Sequence, residues 1–213
     1  MTHVAKFVFS PFQENTYVLY DDTKECIIMD PGCQEIAEKQ MLREFIESNG
    51  LKPVRLILTH CHIDHIFGNR FVYETWGLKP EIHKDELPVL EFGSKIAEMY
   101  GLRYEPSPEP AGFLSEADVV EFGESRLEIL FTPGHSPASL SFYCKDHDFI
   151  ISGDVLFSGS IGRTDLPGGS FETLSESIRT QLYTLDDKTK VYSGHGPETT
   201  IGFEKINNPF VKG

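Results

Sequence analysis

The order of apolar and polar positions divides the chain into short strands and amphipathic helices. Three β-rich runs open it, Val4 to Phe9, Thr16 to Tyr20 and Glu25 to Asp30, and they predict an antiparallel meander closed by Asp30-Pro31-Gly32. From Gln34 to Ser48 the apolar positions Ile36, Ala37, Met41, Leu42, Phe45 and Ile46 recur at helical spacing, and Asn49-Gly50 supplies the stop. Val54 to Leu58 reads as a buried strand, followed by a helix from Asp64 to Trp76 with Ile66, Phe67, Phe71 and Val72 turned inward. The pattern then weakens. A short strand at Glu81 to His83, a helix from Asp85 to Tyr100 and a Pro-rich stretch from Tyr104 to Gly112 are expected, and residues 84–112 read as a lid insertion. A hairpin (Val119 to Phe122 with Leu127 to Phe131) and strands at Leu140 to Cys144 and Phe149 to Ser152 follow. A helix from Phe171 to Leu185 and a strand at Lys190 to Ser193 complete the order.

Chemistry gathers where these strands end. Thr59-His60-Cys61-His62-Ile63-Asp64-His65 follows the apolar run Leu56-Ile57-Leu58 directly. On an extended backbone His60 and His62 project to one side, while Asp64 and His65 begin the next element and face the same space. Imidazoles and a carboxylate at this spacing form a metal-binding pattern, with donors enough for two ions. Three further strand ends deliver donors: Thr132-Pro133-Gly134-His135-Ser136, Gly153-Asp154 and Gly194-His195-Gly196. Five of the eight histidines are thereby used; His3, His83 and His147 are left over, and His83 reads as structural.

Composition narrows the class. A formal charge of −14 argues against a nucleic-acid partner, whose phosphates need a basic face. No apolar run has the length of a membrane span, and Met1 to Ser10 lacks a basic region followed by an apolar core, so a cytoplasmic enzyme is expected. The four cysteines, Cys26, Cys33, Cys61 and Cys144, show no CxxC spacing, which points to thiols in a reducing compartment. Cys61 reads as a small filler directed away from the metals.

The order HxHxDH, TPGH, GD and GH, carried by His60, His62, Asp64, His65, His135, Asp154 and His195, resembles the metallo-β-lactamase superfamily. An aspartate at 154, where the β-lactamases themselves carry Cys or Ser, looks like the glyoxalase II branch, the hydroxyacylglutathione hydrolases. The resemblance implies an α+β fold, a four-layer αββα sandwich, and a single catalytic domain over residues 1–213. It implies that His60, His62 and His135 bind one metal, that Asp64, His65 and His195 bind the other, and that Asp154 bridges both. Two divalent ions are then the cofactors, zinc foremost, with iron or manganese also suited to imidazole and carboxylate donors.

By the same resemblance the substrate is a small thioester such as S-lactoylglutathione, and the reaction is hydrolysis by hydroxide bridging the metals. Asp64 would orient that nucleophile besides binding its metal, and Thr59 and Ser136 are candidates for fixing imidazole tautomers. Arg163, in Gly162-Arg163-Thr164-Asp165, falls where similar enzymes place a glutathione-binding Lys; the alternative is a simple pair with Asp165. Tyr100, Arg103 and Tyr104 on the expected lid are the remaining substrate candidates. Only 18 residues follow His195, so the helical C-terminal domain of full-length glyoxalase II is not expected. A persulfide dioxygenase, a related branch with one iron and a GRTD loop, is the competing reading. The pattern leaves the oligomeric state open.

Overall fold

The computed structural model describes all 213 residues, Met1 to Gly213. Contacts divide the chain into two compact units, 1–114 with 121–125, and 115–120 with 126–213.

The first unit carries β1 (His3–Phe9), β2 (Glu14–Tyr20), β3 (Glu25–Met29), α1 (Ile36–Ser48), β4 (Lys52–Ile57), α2 (Ile63–Ile66), α3 (Asn69–Trp76), β5 (Pro80–His83), α4 (Leu87–Tyr100) and β6 (Gly112–Leu114). Its six strands form one sheet in sequence order. The expected meander is present, because β1, β2 and β3 pair antiparallel. From β3 onward every pairing is parallel, so the sheet is mixed. Helix α1 starts with a reciprocal cap between Glu35 and Glu38. It buries Leu42 and Ile46 and leaves Ile36 and Met41 in solvent, so its apolar stripe is narrower than the sequence reading. The helix expected over Asp64 to Trp76 is two helices. Gly68 N donates to the Pro31 carbonyl at 2.6 Å, and a side chain at Gly68 would strike Cys33 and Pro31, so the chain changes direction there to pack on the Pro31 turn.

After β7 (Val119–Phe122) come β8 (Ser125–Phe131), β9 (Leu140–Cys144), β10 (Phe149–Gly153), β11 (Leu156–Phe157), β12 (Ser160–Ile161), α5 (Phe171–Ser177), β13 (Lys190–Ser193), β14 (Thr199–Thr200) and α6 (Ile201–Asn207). The second sheet runs β14-β13-β10-β9-β8-β7, with β10 and β13 parallel and β8, β9 and β10 antiparallel in turn. Past Ser177 the fifth helix continues as a wider π turn through Leu182, and Ile150, Leu174, Ile178, Leu182, Val191 and Ile201 form the apolar centre of this unit. No helix is long and apolar enough to cross a membrane.

Candidate metal centre

In the first unit the site grows from parallel pairing, which sets the C-terminal ends of β3 and β4 side by side. Met29 is opposite Ile57, and just beyond this pair Asp30 and Thr59 lock together. Thr59 N donates to Asp30 Oδ1 at 2.7 Å and Thr59 Oγ1 to Asp30 Oδ2 at 2.6 Å. Asp30 sits at φ 47°, a left-handed conformation that Asp and Asn tolerate better than most residues. Its Oδ2 also accepts from His65 Nδ1 at 3.2 Å. The Thr59 hydroxyl, having given its proton to Asp30, takes one from His60 Nδ1 at 3.1 Å. Both rings are therefore assigned as Nδ1–H tautomers, with Nε2 as the donor atom toward a cation. Their centroids are 4.1 Å apart, and His62 stands edge-on to His60 at 4.8 Å. His65 Nε2 is 3.7 Å from Asp64 Oδ2. Asp30 groups with His60 and His65 at ligand spacing, but both its oxygens are engaged, so it orients the rings.

Behind Asp30 lies Glu14, fully buried, with its carboxyl 3.8 Å from His65 Nδ1. Thr16 Oγ1 is 2.8 Å from Glu14 Oε2 and 2.9 Å from the Asp30 carbonyl, and it accepts from Gly32 N. Thr16 has one proton for two oxygens. Burial pushes the Glu14 carboxyl well above its usual range. Asp30, Glu14 and the buried Glu86, whose Oε2 accepts from Cys61 N at 2.9 Å, are the residues sequence reading missed. The Asp30-Pro31-Gly32 turn was the one available signal. Cys61 packs in the apolar core, outside the groups of donors at ligand spacing, and burial raises its thiol well above the usual range. His83 Nδ1 accepts from Asp85 N at 3.2 Å and caps a turn.

The second unit repeats the device. Gly153 at the end of β10 is opposite Ser193 at the end of β13, and Gly194 N donates to the Gly153 carbonyl at 2.8 Å, so Asp154 and His195 emerge together. Two antiparallel steps bring the end of β8, and with it His135, to the same edge. Asp154 Oδ2 lies 3.4 Å from His135 Nε2 and 3.5 Å from His195 Nε2. His135 Nδ1 donates to the Arg163 carbonyl at 2.8 Å, which again assigns Nε2 as the inward donor. Gly162 permits this: a side chain there would overlap the Asp154 carbonyl and reach within 3.1 Å of the His135 ring. The Arg163 side chain forms a two-pronged pair with Asp165, at 2.7 and 2.8 Å, on the exposed side of the loop. That guanidinium holds the Asp165 carboxyl down to about 2.

The donors fit divalent ions. Nitrogens and oxygens about 2.1 Å from a tetrahedral ion stand about 3.4 Å apart, longer than a good hydrogen bond and close to the spacings around Asp154. Of the other expected residues, Thr59 touches His60, whereas Ser136 is buried and its carbonyl accepts from Gly134 N. Tyr104 packs beside Phe67 with its hydroxyl accepting from Ser107 N, and Tyr100 is exposed at the end of α4.

A family model described as the metallo-beta-lactamase superfamily matches residues 9–195. The chain belongs to that superfamily. It has the metallo-β-lactamase fold, mixed sheets flanked by helices, and is a metal-dependent hydrolase of that superfamily. It is 45% identical over 204 residues to the probable metallo-hydrolase YqgX of Bacillus subtilis, covering 95% of this chain and 94% of that one. It is 38% identical over 206 residues to the hydroxyacylglutathione hydrolase GloC of Haemophilus influenzae, covering 94% and 93%. Among solved structures, the B3 metallo-β-lactamase BLEG-1 matches with a TM-score of 0.91 and 36% identity, over 99% of this chain and 100% of that one. TTHA1623, in a di-iron-bound form, matches at 0.87 and 35%, over 98% and 100%.

Proposed function

We propose that this metallo-β-lactamase superfamily member is a thioesterase of the glyoxalase II type, hydrolysing small S-acyl-thiol substrates such as S-lactoylglutathione. In this reading residues 1–213 act as one catalytic domain. His60, His62 and His135 hold one divalent ion, Asp64, His65 and His195 the second, and Asp154 both. The observation that carries it is a carboxylate oxygen of Asp154 set at ligand spacing from two imidazole nitrogens, with no thiolate in the donor set. The likeness to GloC supports the acyl-thiol substrate, and the di-iron form of TTHA1623 supports two ions, zinc being our first assignment.

Bound there, the metals supply an acidified water as nucleophile near neutral pH and polarise the acyl carbonyl. The chain's own residues do the rest. Asp30 and the Arg163 carbonyl keep the imidazole tautomers with Nε2 inward, Asp64 orients the attacking water, and the Arg163 guanidinium, once released from Asp165, takes a substrate carboxylate. Tyr104 and Tyr100 flank the thiol carrier. A cytoplasmic setting fits four buried thiols.

The test is a thioester screen on purified protein before and after chelation. S-lactoylglutathione turnover should vanish on chelation and return with added zinc. Full activity after exhaustive chelation would refute the reading. Turnover of a chromogenic β-lactam in place of thioesters would move the chain toward BLEG-1, and oxygen uptake with glutathione persulfide at one iron per chain would make it a dioxygenase.

A further inference from the structure

The segment from Lys84 to Gly112 is anchored to the ligand loop through one buried carboxyl. Glu86, at the junction of a short 3-10 turn and α4, is wholly inaccessible, and its Oε2 accepts from Cys61 N at 2.9 Å. Cys61 stands between His60 and His62 and its own side chain faces the core. Its amide lies in a stretch that has left β4 and has not yet entered α2. Amides there lack a ladder partner, and an unmet buried N–H is costly. Burying a carboxyl is costly too, so a Glu at this place calls for a reason beyond filling space.

The rest of α4 is fastened to the same loop. Gly93 lets it approach α2 closely: a methyl there would come within 3.0 Å of Ile66 Cδ1 and 3.3 Å of the Tyr104 hydroxyl. Leu90 and Ala97 are buried in the core cluster that contains Cys61, Ile63 and Ile66.

We infer that Glu86 is a positioning residue for the metal centre: through the Cys61 amide it fixes the backbone from which His60 and His62 project, and it makes α4 a strut for the ligand loop. The inference rests on the reading that His60 and His62 bind metal. It concerns the backbone of the loop, whereas Asp30 acts on the imidazole rings.

The experiment uses purified zinc-loaded protein challenged with a competing chelator, reading zinc retained per chain and its release rate, with thermal midpoints alongside. Glu86→Gln keeps an oxygen for the Cys61 amide and should hold zinc within about twofold of the unaltered protein, whereas Glu86→Ala should weaken retention by about tenfold or more. Glu86→Asp, which draws the oxygen back by one methylene, should fall between them and serves if the alanine variant fails to fold. Leu182→Ala removes buried apolar bulk from the core of the other unit, outside the cluster that contains Cys61, and should retain zinc normally. Retention by Glu86→Ala or Glu86→Asp equal to that of the unaltered chain, or equal loss in Leu182→Ala, would overturn the role of Glu86. An unaltered chain that takes up no zinc would instead overturn the metal reading, and this inference with it.

Discussion

Asp30→Asn is the substitution that most directly probes how the ligand histidines are oriented. The aspartate receives three donors, Thr59 N, Thr59 Oγ1 and His65 Nδ1, and passes its influence through Thr59 to His60. Asparagine has nearly the same shape and accepts the left-handed backbone at φ 47°, so the backbone contributes little to the outcome. Its amide cannot satisfy all three donors. With the oxygen toward Thr59 N, the NH2 group meets the Thr59 hydroxyl and His65 Nδ1. Thr59 must then turn its proton toward His60 Nδ1, and both histidines must move their own protons to Nε2, the atoms that would bind metal. With the amide flipped, two N–H groups face each other at Thr59 N, and a buried donor goes unmet at about 1 to 3 kcal/mol. Metal retention should fall by about 10- to 100-fold, the usual effect of losing an orienting partner. Chelator competition measures the loss, and nitrogen chemical shifts of the metal-free protein report the tautomers. Unchanged retention with both rings still protonated at Nδ1 would refute the argument.

Three further outcomes follow from named contacts. Gly162→Ala should push the Arg163 carbonyl away from His135 Nδ1, lowering hydrolysis by about tenfold or more while the chain stays folded; unaltered turnover in a folded variant would count against the contact. The Asp165 carboxyl, held at about 2 against an ordinary 3.8, gives its ion pair full strength above the unfolded value and loses it as pH falls through the folded one. A carboxyl-carbon titration should therefore show the loop unchanged down to about pH 4 and released between there and pH 2; release near neutral pH would contradict it. Glu204, fully buried, accepts from Gly159 N, Thr199 Oγ1 and Asn208 Nδ2, so Glu204→Ala should cost about 2 to 3 kcal/mol and lower the melting midpoint by about 4 to 12 °C. Scanning calorimetry decides it.

The proposed ligand residues stand out in the sequence because donors at strand ends leave a spacing that composition alone does not produce. Their partners do not. Asp30 reaches Thr59 only because β3 and β4 run parallel, and Glu14 and Glu86 arrive from other elements altogether; pairing partners of parallel strands are not written in any one segment. The long helices were read correctly in place but not in continuity. The Asp64 to Trp76 pattern is helical throughout, and the interruption at Gly68 comes from its packing on Pro31, a contact between distant turns. Strands β6, β11, β12 and β14 were missed because two or three residues carry too little alternation to register. Helix α6 does carry a local signal, its cap: Thr200 Oγ1 accepts from Phe203 N.

Arg163 serves two masters with two different parts of itself. Its main chain steadies His135, a duty any amino acid could perform, while its side chain extends into solvent with Asp165. Replacing the side chain thus leaves the imidazole where it was. Under the proposed function, evolution or an engineer can therefore rewrite what this rim recognises one codon at a time and leave the imidazole beneath it in place.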